Sequence, residues 1–114
     1  MAQSHLNLLQ GTLDLLVLEA LNGQPNHGYG VARWVREITA GTLAIEEGAL
    51  YTSLHRMERR GWIVSEWGIS ENNRKAKFYA LTAAGRRQLA AEAKTWARYA
   101  EAVFKVLRAR EAGG

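Results

Sequence analysis

The chain has 114 residues, enough for one domain with its own core. It has no cysteine, which excludes disulfide and thiolate chemistry and is compatible with a cytoplasmic location. Net charge is +4 and no apolar run is long enough to span a membrane, so the composition favours an anionic partner such as nucleic acid over a membrane.

The start, "MAQSHLNLLQG", lacks the basic segment and long apolar core of a signal peptide. Residues 6–21 predict a first helix. Leu13, Leu16, Val17, Ala20 and Leu21 lie on one side and Leu15 and Leu18 on another, so it should be buried on more than one side. Asp14 and Glu19 read as its polar rim. "NGQPNHG" is a turn, and it holds the only proline, Pro25. Residues 28–39 predict a second helix, with Val31, Val35 and Ile38 at i, i+4 and i+7 and Trp34 beside them. His27 should cap or buttress the turn before it, and Tyr29 should pack in the core.

After the Ala40-Gly41 break, residues 46–62 read "EEGALYTSLHRMERRGW". At roughly 100° per residue, Leu50, Leu54 and Met57 share a core face. Gly48, Thr52, His55, Arg56 and Arg59 fall opposite, with Tyr51 on the shoulder. Glu46 and Glu47 suit the positive end of the helix dipole, and Gly61 is a stop signal.

The period then changes from 3.6 to 2. "WIVSEW" and "KAKFYAL" read as two strands joined by the turn "GISENNR". Thr82 is placed to cap a long last helix over residues 83–110. On it Leu89, Ala93, Trp96, Ala100, Val103 and Leu107 are spaced 4, 3, 4, 3, 4, a coiled-coil seam that Ala97 and Phe104 widen. A stripe of that size needs a cover, most simply a twofold-related copy of the same chain.

Helix, helix, helix, hairpin and long helix make a winged helix-turn-helix, a mainly α fold with a two-stranded β wing and a long C-terminal dimerisation helix. Residues 1–82 form the DNA-binding domain in this reading. Residues 83–114 form the dimerisation helix, packed with it as one unit. The third helix then enters the major groove of double-stranded DNA and the wing follows the adjacent backbone. Gly48 permits close approach, and Thr52 and His55 can reach base edges. Arg56 and Arg59 can reach phosphate or guanine, and Arg74, Lys75 and Lys77 add charge at the wing tip. Charge agrees: residues 1–45 carry two Lys/Arg against three acids, whereas residues 83–114 carry seven against three.

Several segments resemble the PadR-like transcriptional regulators: "LLQGTLDLLVLEAL", "HGYG", "EEGALYTSLHRMERRGWI" and "RKAKFYALTAAGRRQL". The resemblance covers roughly residues 6–90, and "SENNRKAKFYALTAAG" looks like a branch found beside transporter permease genes. It implies a winged-helix homodimer held by the last and first helices, repressing at a palindromic operator. It carries Tyr51 over as a DNA-facing residue, and Arg74, Lys75 and Lys77 as wing contacts. Many members have Ser-Pro at Glu46-Glu47, which makes the helix cap weaker here, and proline at Thr52. Phenolic-acid sensing is not implied, because this chain has a single C-terminal helix. Some drug-responsive relatives carry an aromatic at a place comparable to Trp96, so Trp96 either plugs the space between subunits or is the contact for a small hydrophobic effector.

The alternative reading is a winged-helix protein-interaction module that does not bind DNA. It predicts a third helix and wing poor in basic residues. An enzyme is disfavoured: no nucleophile constellation stands out, and His5, His27 and His55 lack metal-ligand spacing. No cofactor is expected.

Overall fold

The structure is a computed structural model that describes Leu8 and residues 11–113. Its elements are α1 (Thr12–Ala20), β1 (Asn26–His27), α2 (Gly28–Ile38), α3 (Glu47–Arg59), β2 (Ile63–Ile69), β3 (Lys75–Leu81) and α4 (Ala83–Gly113). The expected helix start at Leu6 lies outside the described residues, as does His5. Gly11, in the left-handed region at φ 89°, precedes the helix that is described.

The core draws one apolar stripe from each helix: Val17, Leu18 and Leu21, then Val31 and Val35, then Leu50, Leu54 and Met57. Ile63, Tyr79 and Leu89 close it from the sheet and α4. The expected core face of the third helix is therefore the observed one. On α2 the stripe is narrower than expected. Val31 and Val35 are buried, but Ile38, in the last turn, is 66 % exposed. Tyr29 corrects the sequence reading as well. It points outward at 57 % exposure, while its neighbours Gly28, Gly30 and Val31 take the buried side of the first turn of α2.

The sheet has three strands, in the order β1-β3-β2, where a two-stranded wing was expected. The extra strand is short: Asn26 and His27 pair antiparallel with Tyr79 and Phe78. Two residues show no alternation, and "PNHG" looks like a pure turn, which is why sequence periodicity misses it. The strand fastens the base of the β2–β3 hairpin to the start of α2.

Thr82 caps α4 as expected, its Oγ1 accepting from Gly85 N at 3.0 Å and donating to Gly61 O at 2.6 Å. Gly85 is buried, and a Cβ there would run into the carbonyl oxygen of Trp62. The first turn of α4 can therefore approach the backbone at the start of the wing. Beyond Leu89 the 31-residue helix leaves the core, and at about 1.5 Å per residue it is roughly 46 Å long.

Candidate nucleic-acid interface

α3 begins at Glu46, whose backbone is extended and whose side chain accepts from Ala49 N at 2.9 Å. The residue expected in the first turn is thus the cap itself. The helix ends where Gly61 turns at φ 79°. Between these points Gly48, Thr52, His55 and Arg59 are exposed on the face away from the core.

Arg56 does not join them. It is half-buried and turned toward α1, where its guanidinium pairs with Asp14. The same carboxylate accepts from the Ser53 hydroxyl at 2.6 Å, and Ser53 is fully buried. The outer-face position expected for Arg56 is corrected for a geometric reason: the helical wheel places it near the edge of that face, and a carboxylate on the neighbouring helix draws it in. Asp14, read as rim, is the hinge-pin between α1 and α3. Tyr51 is half-buried against the core, and a Cβ on Gly28 would come within 2.5 Å of its hydroxyl. The first glycine of "HGYG" therefore makes room for a tyrosine.

The hairpin register pairs Trp67 with Lys77 and Ile69 with Lys75. Arg74 and Lys75 are exposed near the tip, whereas Lys77 is half-buried on the strand, set back from the tip where it was expected. Both lysine ammonium groups lie over the Trp67 ring, at 5.2 Å for Lys75 and 5.9 Å for Lys77 from its centroid. Between hairpin and helices opens a groove of 410 Å³, lined among others by Tyr29, Tyr51, His55, Trp67, Lys75 and Lys77. Sequence reasoning missed Trp67 and Tyr29. The period-2 register that placed the lysines on one strand face also places Trp67 opposite them, so that signal was available.

The tip itself is held from behind. Glu71 accepts from His27 Nε2 at 3.1 Å and from Arg33 Nη2 at 3.1 Å. His27 Nδ1 accepts from Gly30 N at 3.0 Å, which caps α2 and leaves Nε2 as the donor toward Glu71. A backbone hydrogen bond at Glu71 and the bond from His27 lower its carboxyl pKa to about 2. One histidine thus joins the start of α2 to the wing turn.

α4 presents the other expected surface. Leu89 is buried in the chain's own core at 7 % exposure, so it has little left to give a partner, contrary to its expected place in the seam. Its neighbours explain this: at Leu89 the helix still packs on α1. Ala93 is exposed and Ala100 half-buried. Trp96, Val103, Phe104 and Leu107 are 37 %, 39 %, 50 % and 63 % exposed. A cleft of 680 Å³ lies between the start of α1 and α4, lined by Asp14, Glu92, Trp96 and Tyr99 among others. Among the described residues, no helix is long and apolar enough to cross a membrane.

Three helices, a hairpin flanking the outer face of the third, and a long fourth helix define a winged-helix protein of the PadR type. Residues 17–91 match the transcriptional regulator PadR-like family, and the chain belongs to it. It is accordingly a transcriptional regulator and not an enzyme. A PadR-family regulator from Eggerthella lenta is 31 % identical, with 86 % of this chain and 83 % of that one covered at a TM-score of 0.72. A PadR-family regulator from Clostridium difficile R20291 is 28 % identical, covering 84 % and 98 % at a TM-score of 0.72. The fold is also that of Bacillus subtilis PadR in complex with operator DNA, at 22 % identity and a TM-score of 0.60 over 68 % of this chain and 44 % of that one.

Proposed function

We propose that the chain is a homodimeric repressor that binds a palindromic operator in double-stranded DNA. The observation that carries this reading is the groove between α3 and the wing. Thr52, His55 and Arg59 are exposed on α3, and Arg74 and Lys75 are exposed on the wing. This is the arrangement by which a helix reads base edges while a hairpin holds phosphates. Gly48 and Tyr51 flank the reading face, and Lys77 contributes charge from deeper in the groove. Arg56 is assigned to positioning α3 through Asp14. The non-DNA interaction module is disfavoured because it requires a wing poor in basic residues.

In this proposal residues 1–82 read DNA and residues 83–114 join two copies. The joining surface is Ala93, Trp96, Ala100, Val103, Phe104 and Leu107, the apolar stripe that α4 leaves uncovered in the protomer. Two α3 helices about 34 Å apart would meet half-sites one helical turn apart. A repressor of this kind acts in the cytoplasm, by occupying a promoter. The Trp96 cleft is the proposed site for a flat hydrophobic effector, which would change DNA affinity only by favouring one dimer geometry.

The test is nuclease protection on the fragment upstream of the protein's own gene. The proposal expects one protected palindrome, with two half-sites centred about 10 base pairs apart. Uniform protection of every fragment at all concentrations would leave only nonspecific binding, and no protection would sink the reading.

A further inference from the structure

The face of the hairpin that carries Trp67 is unlike the other. Ile63, Ser65, Trp67 and Ile69 of β2 lie opposite Leu81, Tyr79, Lys77 and Lys75 of β3, so these eight side chains share one side. At its base this side is structural: Ile63 and Tyr79 are core, and the Ser65 hydroxyl donates to Glu58 of α3 at 2.6 Å. Further out the core ends, and Trp67 and Ile69 are left 60 % and 64 % exposed. Trp67 opens on the same groove as Tyr51 and His55.

Toward the tip the charge on this side is positive, and the acid at its base, Glu58, is taken by the Ser65 hydroxyl. Lys75 and Lys77 lie over the Trp67 ring, Glu66 projects from the opposite face, and Glu71 is engaged by His27 and Arg33. A large indole held in the open beneath two ammonium groups is poorly placed for packing within the protomer. It is well placed for a polyanion with an apolar interior, and a DNA minor groove offers both: phosphate walls about 6 Å apart and sugar and base edges between them. Apolar side chains entering that groove unstack a base step and bend the duplex.

We propose that Trp67, backed by Ile69, is a minor-groove wedge on the wing, and that Lys75 and Lys77 exchange the indole face for flanking phosphates when DNA is bound. The inference rests on the DNA-binding reading and adds to it a residue that deforms the duplex. Sequence preference would then extend to easily unstacked steps beyond those α3 touches.

The experiment uses the full chain and an end-labelled 30-base-pair duplex rich in TA steps. Affinity is measured at several salt concentrations, and end-to-end energy transfer reports bending. Trp67→Ala, Trp67→Phe and Lys75→Ala/Lys77→Ala are compared with the parent. The wedge predicts that Trp67→Ala loses roughly tenfold in affinity and loses the bend, at an unchanged salt slope. Trp67→Phe should keep part of both, and the double lysine variant should lower the slope. Trp67→Ala with parental affinity and bend overturns the wedge while leaving DNA binding in place. A Trp67→Ala slope that falls as it does in the lysine variant would make Trp67 only a prop for the lysines, which also overturns it. A change of sedimentation in Trp67→Ala would assign this face to a second copy instead. A parent that binds no duplex fails the underlying reading itself.

Discussion

Ser53 is fully buried on α3, and its hydroxyl donates to Asp14 at 2.6 Å. Replacing Asp14 with Ala leaves that hydroxyl without this acceptor and frees the Arg56 guanidinium. Stability should fall by about 1–3 kcal/mol, read as a shift in the urea midpoint at constant m-value. Asp14→Asn, which keeps an acceptor oxygen, should cost less than Asp14→Ala, and equal losses would mean that helix packing alone is at stake. The role was not legible in sequence. One acid on an apolar helix predicts only a polar edge, and its partners lie 39 and 42 residues away. Glu71 makes a second residue-scale prediction. Its folded pKa is depressed from 4.5 to about 2, so its contribution to wing order is fully present above pH 4.5 and is lost as pH falls toward 2. Its side-chain carboxyl should therefore titrate near 2 by NMR, and Glu71→Gln should speed amide exchange in residues 70–74. Titration near 4.5 would mean the wing turn is not latched to His27.

At the scale of elements, the helices and the hairpin were readable because each buries one face, and period follows from that. Leu50, Leu54 and Met57 announce α3 whatever its outer face does. What periodicity could not reach was contact between elements. β1 is two residues long, Tyr29 points outward from a turn whose other residues are buried, and Leu89 belongs to the core because α4 docks on α1 before departing from it. The start of α4 also approaches the wing base, and that approach depends on Gly85. A Cβ at this position meets the Trp62 carbonyl oxygen, so Gly85→Ala must push the first turn of α4 away from the wing base. The intrinsic helix preference for Ala over Gly, about 1 kcal/mol, acts in the opposite direction. We expect the clash to win, with a net loss of about 1–3 kcal/mol in thermal or urea unfolding. A stabilised Gly85→Ala protein would show that the approach is not tight.

On the whole-molecule scale, the uncovered stripe of α4 sets the prediction. Val103 is 39 % exposed in the protomer, so Val103→Asp should leave the monomer fold intact. At a two-chain seam it would bury an unpaired charge, a cost large enough to dissociate a modest dimer. Sedimentation equilibrium should show the variant as monomer at concentrations where the parent is dimer, with unchanged helix content. A dimer of parental strength would place the seam elsewhere. The uncovered stripe was legible from its 4-3 spacing. Where it begins was not, since spacing does not say which apolar residues a helix spends on its own domain.

The α3–wing surface as the DNA contact is tested most directly by the salt dependence of binding to its protected promoter fragment. Each phosphate neutralised contributes about 0.9 to the slope of log affinity against log salt. The variant Arg74→Ala/Lys75→Ala/Lys77→Ala should bind more weakly to every duplex, with a slope reduced by up to roughly one unit per lost contact in each protomer. An unchanged slope and affinity in a folded triple variant would contradict the assignment of the wing to DNA.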